Sequence, residues 1–342
     1  MPATFNAAQV YTLAEMQQFY EPDGSLSTLI NMLKQDNPML EHAKWREGNQ
    51  TDGHKHKIVT KLPRPAFRRL YKGANYTKSG VAAVHDTCRQ IVDRWAVDVD
   101  ELQMYEGPAA QNAFRMQEGA LHVEGMRQFF FEQLIYGNMD VNADEIRGLH
   151  ARYPYKDAPG VIDAGGTTGD MCSVWGIAWA DNNDHRGLTC ITPKNMKAGL
   201  QHKDLGEFDA FDEDNKPYRA LGDEWKWNIG TALGDWRYVV RIANIPVANL
   251  GKPVGDADYV DLKDLFIKAK YALCTAARRR VQWYAPNAIM AALEKQASDK
   301  DNVHLRYGEY FDSKDVLMVN GRPIFECEGM LETETPLIAT PA

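Results

Sequence analysis

Two short strings in this chain bring potential anion binders or metal ligands together. Asp163-Ala164-Gly165-Gly166-Thr167-Thr168-Gly169-Asp170 is glycine-rich enough to cradle a phosphate on backbone N–H groups. It lacks the Gly-Lys-Ser/Thr ending of a P-loop, and no helical pattern follows to aim an N-terminus at the anion, so it reads as a tight turn between strands. His54-Lys55-His56 puts two imidazoles on one face of a strand, a spacing that zinc can use. Further ligands would have to come from scattered positions, and the flanking lysines oppose a dication, which favours a solvated basic segment. Ser173 has no G-x-S-x-G turn around it, and Cys88, Cys172, Cys190, Cys274 and Cys327 stand alone with no C-x-x-C pair. Carboxylate pairs such as Asp98/Asp100 fit a solvated strand better than an acid–base couple. No catalytic residue, cofactor or metal is expected.

The charge distribution says more. Between residues 53 and 85 there is no Asp or Glu, yet Lys55, Lys57, Lys61, Arg64, Arg68, Arg69, Lys72 and Lys78 all fall there. Loose alternation followed by Pro63, Pro65, Gly73 and Gly80 predicts an extended loop, and the β-branched stretch 82–102 predicts its return strand. A loop this long without its own core has a function or is disordered. Phe67, Tyr71 and Tyr76 supply a little of the aromatic interleaving a nucleic-acid binder needs. As an inter-subunit arm, the loop has an acidic counterpart in the same chain, an acidic loop at residues 204–224 in which Asp209, Asp212, Glu213 and Asp214 cluster. Opposite charges on one chain support head-to-tail self-assembly.

These segments need elements to hold them. Ser25 caps a short helical pattern at Leu26, Leu29, Ile30 and Leu33, stopped at Asn37-Pro38. A long helix is predicted over 111–136 from Met116, Ala120, Val123, Arg127, Phe130 and Leu134, with Gly137-Asn138 as its stop and close packing at Gly119 and Gly125. Residues 157–255 read as strands and loops, with the run Trp236 to Ile245 as one of the strands. Trp175, Trp179, Trp225, Trp227 and Trp236 crowd this block, with sheet core as the default reading. From Asp258 come a helix (Leu262, Leu265, Phe266, Ala269), a strand and a second helix opened by Pro286. Asn320-Gly321 is a hairpin turn between two closing strands. The tail 333–342, with two prolines, reads as a surface contact or an unstructured end. The class is α+β, divided into 1–50, 51–107, 108–257 and 258–342, with discontinuous domains expected.

Composition excludes other classes. With 39 Lys plus Arg against 47 Asp plus Glu, the formal charge is −8, a poor general binder of nucleic acid. No apolar run reaches the roughly 20 residues of a membrane helix. The first twenty residues do not read as a secretory signal, and unpaired cysteines fit a reducing cytoplasm.

Several strings carry a family resemblance. They include Asn37-Pro38-Met39-Leu40, Trp45-Arg46-Glu47-Gly48-Asn49, Thr60-Lys61-Leu62-Pro63, Asp86-Thr87-Cys88, Tyr136-Gly137-Asn138, Ile162-Asp163-Ala164-Gly165-Gly166, Ala198-Gly199-Leu200-Gln201-His202, Asp235-Trp236-Arg237-Tyr238-Val239-Val240-Arg241-Ile242-Ala243-Asn244-Ile245 and Gly321-Arg322-Pro323-Ile324. Their order along nearly the full length resembles the major capsid proteins of epsilon-fifteen-like short-tailed bacteriophages, a branch of the Hong Kong 97-type capsid fold. The resemblance implies an N-terminal arm at 1–50, an extended loop at 51–107, a peripheral domain with a spine helix in 108–257, and axial-type helices from 258. It implies a subunit that assembles with itself as hexamers and pentamers into an icosahedral head around double-stranded DNA. Portal and scaffolding proteins, with or without a cement protein, would be its partners; the site would be the virion, assembled in the host cytoplasm. An encapsulin-type shell and a nucleotide-binding enzyme built on Gly165 to Gly169 are the rival readings. Lys72 and Lys78 lie in the loop where some related shells cross-link, but no matching Asn and Glu are visible, so no cross-link is expected.

Overall fold

The computed structural model describes residues 34–105, 107–181, 184–212, 214–253, 255–298, 305–310 and 313–340. The helical pattern capped by Ser25 lies outside them. The chain forms two compact units, each discontinuous in sequence. One holds residues 90–130 and 197–228; the other holds 35–89, 131–196 and 229–340.

The larger unit is organised by a seven-stranded mixed sheet in the order β11-β12-β13-β10-β5-β9-β4. Its strands are β4 Val161–Asp163, β5 Met171–Ile177, β9 Val239–Pro246, β10 Gln282–Ala285, β11 Leu305–Tyr310, β12 Ser313–Val319 and β13 Arg322–Glu326. Strands β5 and β9 pair antiparallel through Val174↔Ile242 and Trp175↔Arg241. Every residue of β5 is buried, so both of its faces are covered. Cys172 and Val174, with Val240 and Ile242, turn to a core shared with the helices α5 Leu262–Ala272 and α7 Asn287–Ser298. Asp261 caps α5 by accepting from the Asp264 N–H at 3.2 Å, and Leu262, Leu265, Phe266 and Ala269 then fall on one face toward Trp283. Asn320 and Gly321, at φ 51° and 75°, make the tight turn between β12 and β13, as two left-handed residues in a hairpin require.

Three differences from the sequence expectations have clear causes. The chain was divided at 257/258, but β4, β5 and β9 share one sheet and core with the later helices, so that part of the strand-rich block belongs with them, while residues 197–228 lie in the smaller unit. Strand β9 begins at Val239 because Asp235 accepts from the Arg237 N–H and folds Trp236–Tyr238 into a 3-10 turn first. The tail is neither free nor a mere surface contact: Glu334 bridges to Met171, Asn244 holds the Leu337 N–H at 2.6 Å, and Asp157 holds Thr340.

The smaller unit contains most of α3 Gly107–Tyr136, the helix predicted over 111–136. It starts four residues earlier than expected, since Pro108 sits in the first turn, where a missing N–H costs nothing. At 1.5 Å per residue it is about 45 Å long. Its buried stripe is Phe114, Glu118, Met126 and Phe130, whereas Met116 is 76% exposed and Val123 38%. Gly119 packs tightly, since a Cβ there would stand 3.3 Å from the Trp225 ring, but one at Gly125 would meet nothing within 4 Å. The core here joins Trp95, Val97, Leu102, Tyr105, Phe114, Met126 and Trp225. Of the five tryptophans, Trp175, Trp179 and Trp225 are core, Trp227 is half-buried, and Trp236 is 48% exposed.

Candidate assembly surfaces

The basic segment is a hairpin. Strands β2 Gly53–Lys61 and β3 Gly80–Asp98 pair antiparallel from Gly53↔Thr87 to Lys61↔Gly80. Period-2 alternation turns Lys55 and Lys57 outward and half-buries His54 and His56. Residues 62–79 form the tip, where every residue is exposed. Arg64, Arg68, Arg69, Lys72 and Lys78 all lie on it, as do the fully exposed rings of Phe67, Tyr71 and Tyr76. The tip is shaped by one turn, in which the Arg68 Nε donates to the Lys72 carbonyl at 2.7 Å and Tyr71 takes φ 64°.

The base of this hairpin is anchored rather than open. A Cβ at Gly53 would stand 2.1 Å from the Asp86 carbonyl oxygen, so only glycine permits the approach. Buried Asp86 accepts from Arg152 at 2.8 Å, and the same guanidinium donates to the Thr231 carbonyl at 2.9 Å. The Arg46 guanidinium lies 2.8 Å from His54 Nε2, a contact that requires a neutral, accepting imidazole. Burial, with the nearby Arg46 and His56, pushes His54 down to about 4. These two histidines therefore serve the hairpin; among the described residues no group of side chains is arranged to hold a metal ion.

This arrangement has a pH consequence. Burial lowers His42, His54, His56 and His150 alike, His54 and His150 to about 4. The unfolded chain takes up these protons near the ordinary imidazole value of about 6.5. Between that value and about 4 the unfolded state binds more protons, so stability is full above the window and falls as the solution is acidified through it. Thermal unfolding midpoints of the chain should drop across this interval, and the drop should be shallower in His54→Gln/His150→Gln. An equally steep drop in the double variant would count against the assignment.

The acidic segment was read as a loop but forms the outer arms of a second hairpin, β7 Leu200–Phe211 and β8 Pro217–Leu233. Its polar residues alternate onto a solvated surface, which hides the strand period among charges. Asp212 closes the turn, accepting from the Lys216 N–H at 2.7 Å. Asp214 pairs with Lys216 at 2.9 Å, and Asp209 shares Arg219 with Glu207. Nearer the core, Arg115 holds Asp204 and Asp223, while Arg94 and Lys226 hold Glu224. Trp225 is layered between His122, 5.0 Å away and nearly parallel, and His202 at 5.3 Å. Eight carboxylates against Lys216 and Arg219 still leave residues 204–224 strongly acidic. Glu213 lies outside the described residues.

The glycine-rich string is a turn joining β4 to β5. Gly165 and Gly169 adopt φ 90° and 86°, and Asp163 accepts from the Gly165 N–H at 2.9 Å. The groove beside it is lined by Asp258, Asp261 and Asp264, which repel a phosphate.

The network at the back of β5 was not anticipated. Fully buried Arg241 donates to Glu334 at 2.8 Å, to Ser173 Oγ at 3.1 Å and to the Tyr153 carbonyl at 3.1 Å. The Tyr136 hydroxyl adds a bond to Glu334 at 3.1 Å. The one signal in sequence was a charged residue in the middle of an apolar strand.

No curated protein matches this chain. Among solved structures, the capsid of bacteriophage Epsilon15 matches with TM-score 0.73 and 26% identity, over 96% of this chain and 98% of that one. The bacteriophage JBD30 capsid matches in fold with TM-score 0.51 and 9% identity, over 93% and 98%. An encapsulin of Synechococcus elongatus reaches TM-score 0.43 and 9% identity, over 69% and 96%. The α+β architecture is thus the Hong Kong 97-type capsid fold. The family model for major capsid protein GP7 matches residues 21–338, so the chain belongs to that family and is a shell protein of a phage head.

Proposed function

We propose that this chain closes into an icosahedral head around double-stranded DNA, with its basic hairpin lying over a neighbouring copy. The observation that carries this reading is the hairpin tip, residues 62–79, entirely exposed while presenting cations and three unburied rings. A surface of that composition is unfavourable in isolated subunits and suits a partner's acidic face. The eight cations Lys55, Lys57, Lys61, Arg64, Arg68, Arg69, Lys72 and Lys78 supply one side. The carboxylates around Asp209, Asp212, Glu213 and Asp214 of the next copy supply the other. Each contact is modest, and repetition around hexamers and pentamers makes the shell strong. Portal and scaffolding proteins complete the head, and the chain acts as a building part rather than a catalyst.

Electron microscopy and sedimentation of the purified chain, expressed with and without the other head proteins, test this directly. Closed shells, capsomer rings or curved sheets are expected. A compact monomer under both conditions would overturn the reading.

A further inference from the structure

The geometry points to a second basic surface, in the larger unit, that grips the phosphodiester backbone of the enclosed nucleic acid. A groove of about 730 Å³ opens between the segment before β1 Trp45–Glu47, the end of β5 and the loop that leads into β10. Lys44, Arg279, Arg280 and Arg322 line it, against Glu41 and Asp181. Lys44 and Arg279 are exposed; Arg280 and Arg322 are half-buried. Arg280 is fixed in place by Asp184 at 2.6 Å and lies over the Tyr238 ring at 5.3 Å. Burial and the charge of Lys44 lower His42, also on the wall, which leaves the positive charge of the groove to Lys44 and the arginines. The groove is therefore cationic on a chain whose formal charge is −8.

Three of the four cations are arginines, whose planar forks match phosphate oxygens two at a time. The choice of partner rests on the shell reading above. There the chain's own acidic hairpin is taken by the basic loop of a neighbour, and the polyanion left in large excess within a head is the genome. Duplex DNA presents about one charge per 1.7 Å of axis, so a groove of this kind meets phosphates at any sequence. The net negative charge elsewhere keeps the contact weak and reversible, which lets packaged DNA slide instead of sticking.

The test uses the full-length chain in its unassembled form with a fluorescently labelled short DNA duplex, titrated over a range of salt. Binding should weaken linearly in log–log form with salt, and Lys44→Gln/Arg279→Gln/Arg322→Gln should lower the slope by about 2 to 3, at roughly 0.9 per lost phosphate contact. Lys194→Gln/Lys197→Gln, exposed residues outside both the groove and the loop, should leave the slope unchanged. A wild-type slope in the triple variant, or an equal drop in this control, overturns the groove assignment. So does a triple variant that keeps its DNA affinity but loses shells, since the groove would then be a protein contact. Shell formation by the wild-type chain is scored in parallel by electron microscopy: its failure overturns the assembly reading, whereas shells with an unchanged salt slope overturn the groove alone.

Discussion

Replacing Glu334 by alanine is expected to destabilise the larger unit by roughly 3–5 kcal/mol, the cost of leaving one partner of a buried ion pair uncompensated. Arg241 has no solvent exposure, and Glu334 is its only charged partner among the described residues. Burial alone pulls the Arg241 guanidinium downward, and Glu334 opposes that shift. Without the carboxylate, Arg241 keeps only Ser173, the Tyr153 carbonyl and the face of Trp175 at 5.1 Å. Tyr136 loses its acceptor as well, although its hydroxyl oxygen can still accept from the Leu331 N–H at 2.8 Å. The tail itself stays held by the backbone bridge of residue 334 to Met171, by Asn244 and by Asp157, so the loss comes from the uncompensated charge. Urea unfolding of the unassembled chain measures this as a lower midpoint at unchanged slope. The control is Arg241→Leu/Glu334→Leu, which removes both charges and their desolvation cost together and should lose much less. A Glu334→Ala midpoint within error of wild type, or a double variant as unstable as the single one, would show that the pair does not carry this energy.

Arg241 and Glu334 also mark where sequence reasoning stopped. The run Tyr238-Val239-Val240-Arg241-Ile242 announces a buried strand, and a charge inside it demands a partner. Nothing local identifies that partner, because Glu334 sits 93 residues away in a proline-containing tail with no periodicity. The basic hairpin was legible for the opposite reason: its strands pair locally, and absence of acid over thirty residues is a one-dimensional signal. Helix α3 was legible in extent and in the buried Phe130 and Leu134 of its second half, but the inward face of its first half was missed. Glu118 and half-buried His122 occupy its inward stripe, and a pattern of apolar residues passes over both, choosing exposed Met116 and Val123 instead. The acidic hairpin was missed as structure because its alternation is written in Asp, Glu and Lys. Its ion pairs tie the turn to itself, a division of labour among carboxylates that composition cannot reveal.

Reversing Arg68 and Arg69 to glutamate should abolish or sharply reduce shell assembly while leaving the fold intact. Both side chains are exposed on the tip, and substitutions at such positions change folding stability by only about 0.5 kcal/mol. An exposed ion pair contributes about 0.2–1 kcal/mol. Reversal does more than delete two such pairs, since on the proposed docking each glutamate would face the exposed carboxylates of a neighbour's acidic hairpin. A loss of about 1–2 kcal/mol per contact is small for one interface but is repeated at every subunit. Because screening shortens the reach of exposed charges to about 8–10 Å near physiological salt, raised salt should weaken wild-type assembly and partly relieve the variant. The Arg68 bond to the Lys72 carbonyl is lost too, so Arg68→Gln/Arg69→Gln separates the two effects: it removes the turn bond and the charge without adding repulsion and should assemble at an intermediate yield. Reversing Lys216 and Arg219 offers the converse check, because it makes the acidic hairpin more negative and should strengthen docking of an unaltered loop. Normal shells from the Arg68/Arg69 reversal, at wild-type yield and salt tolerance, would remove the loop's cations from the interface and leave its exposed aromatic rings to hold it.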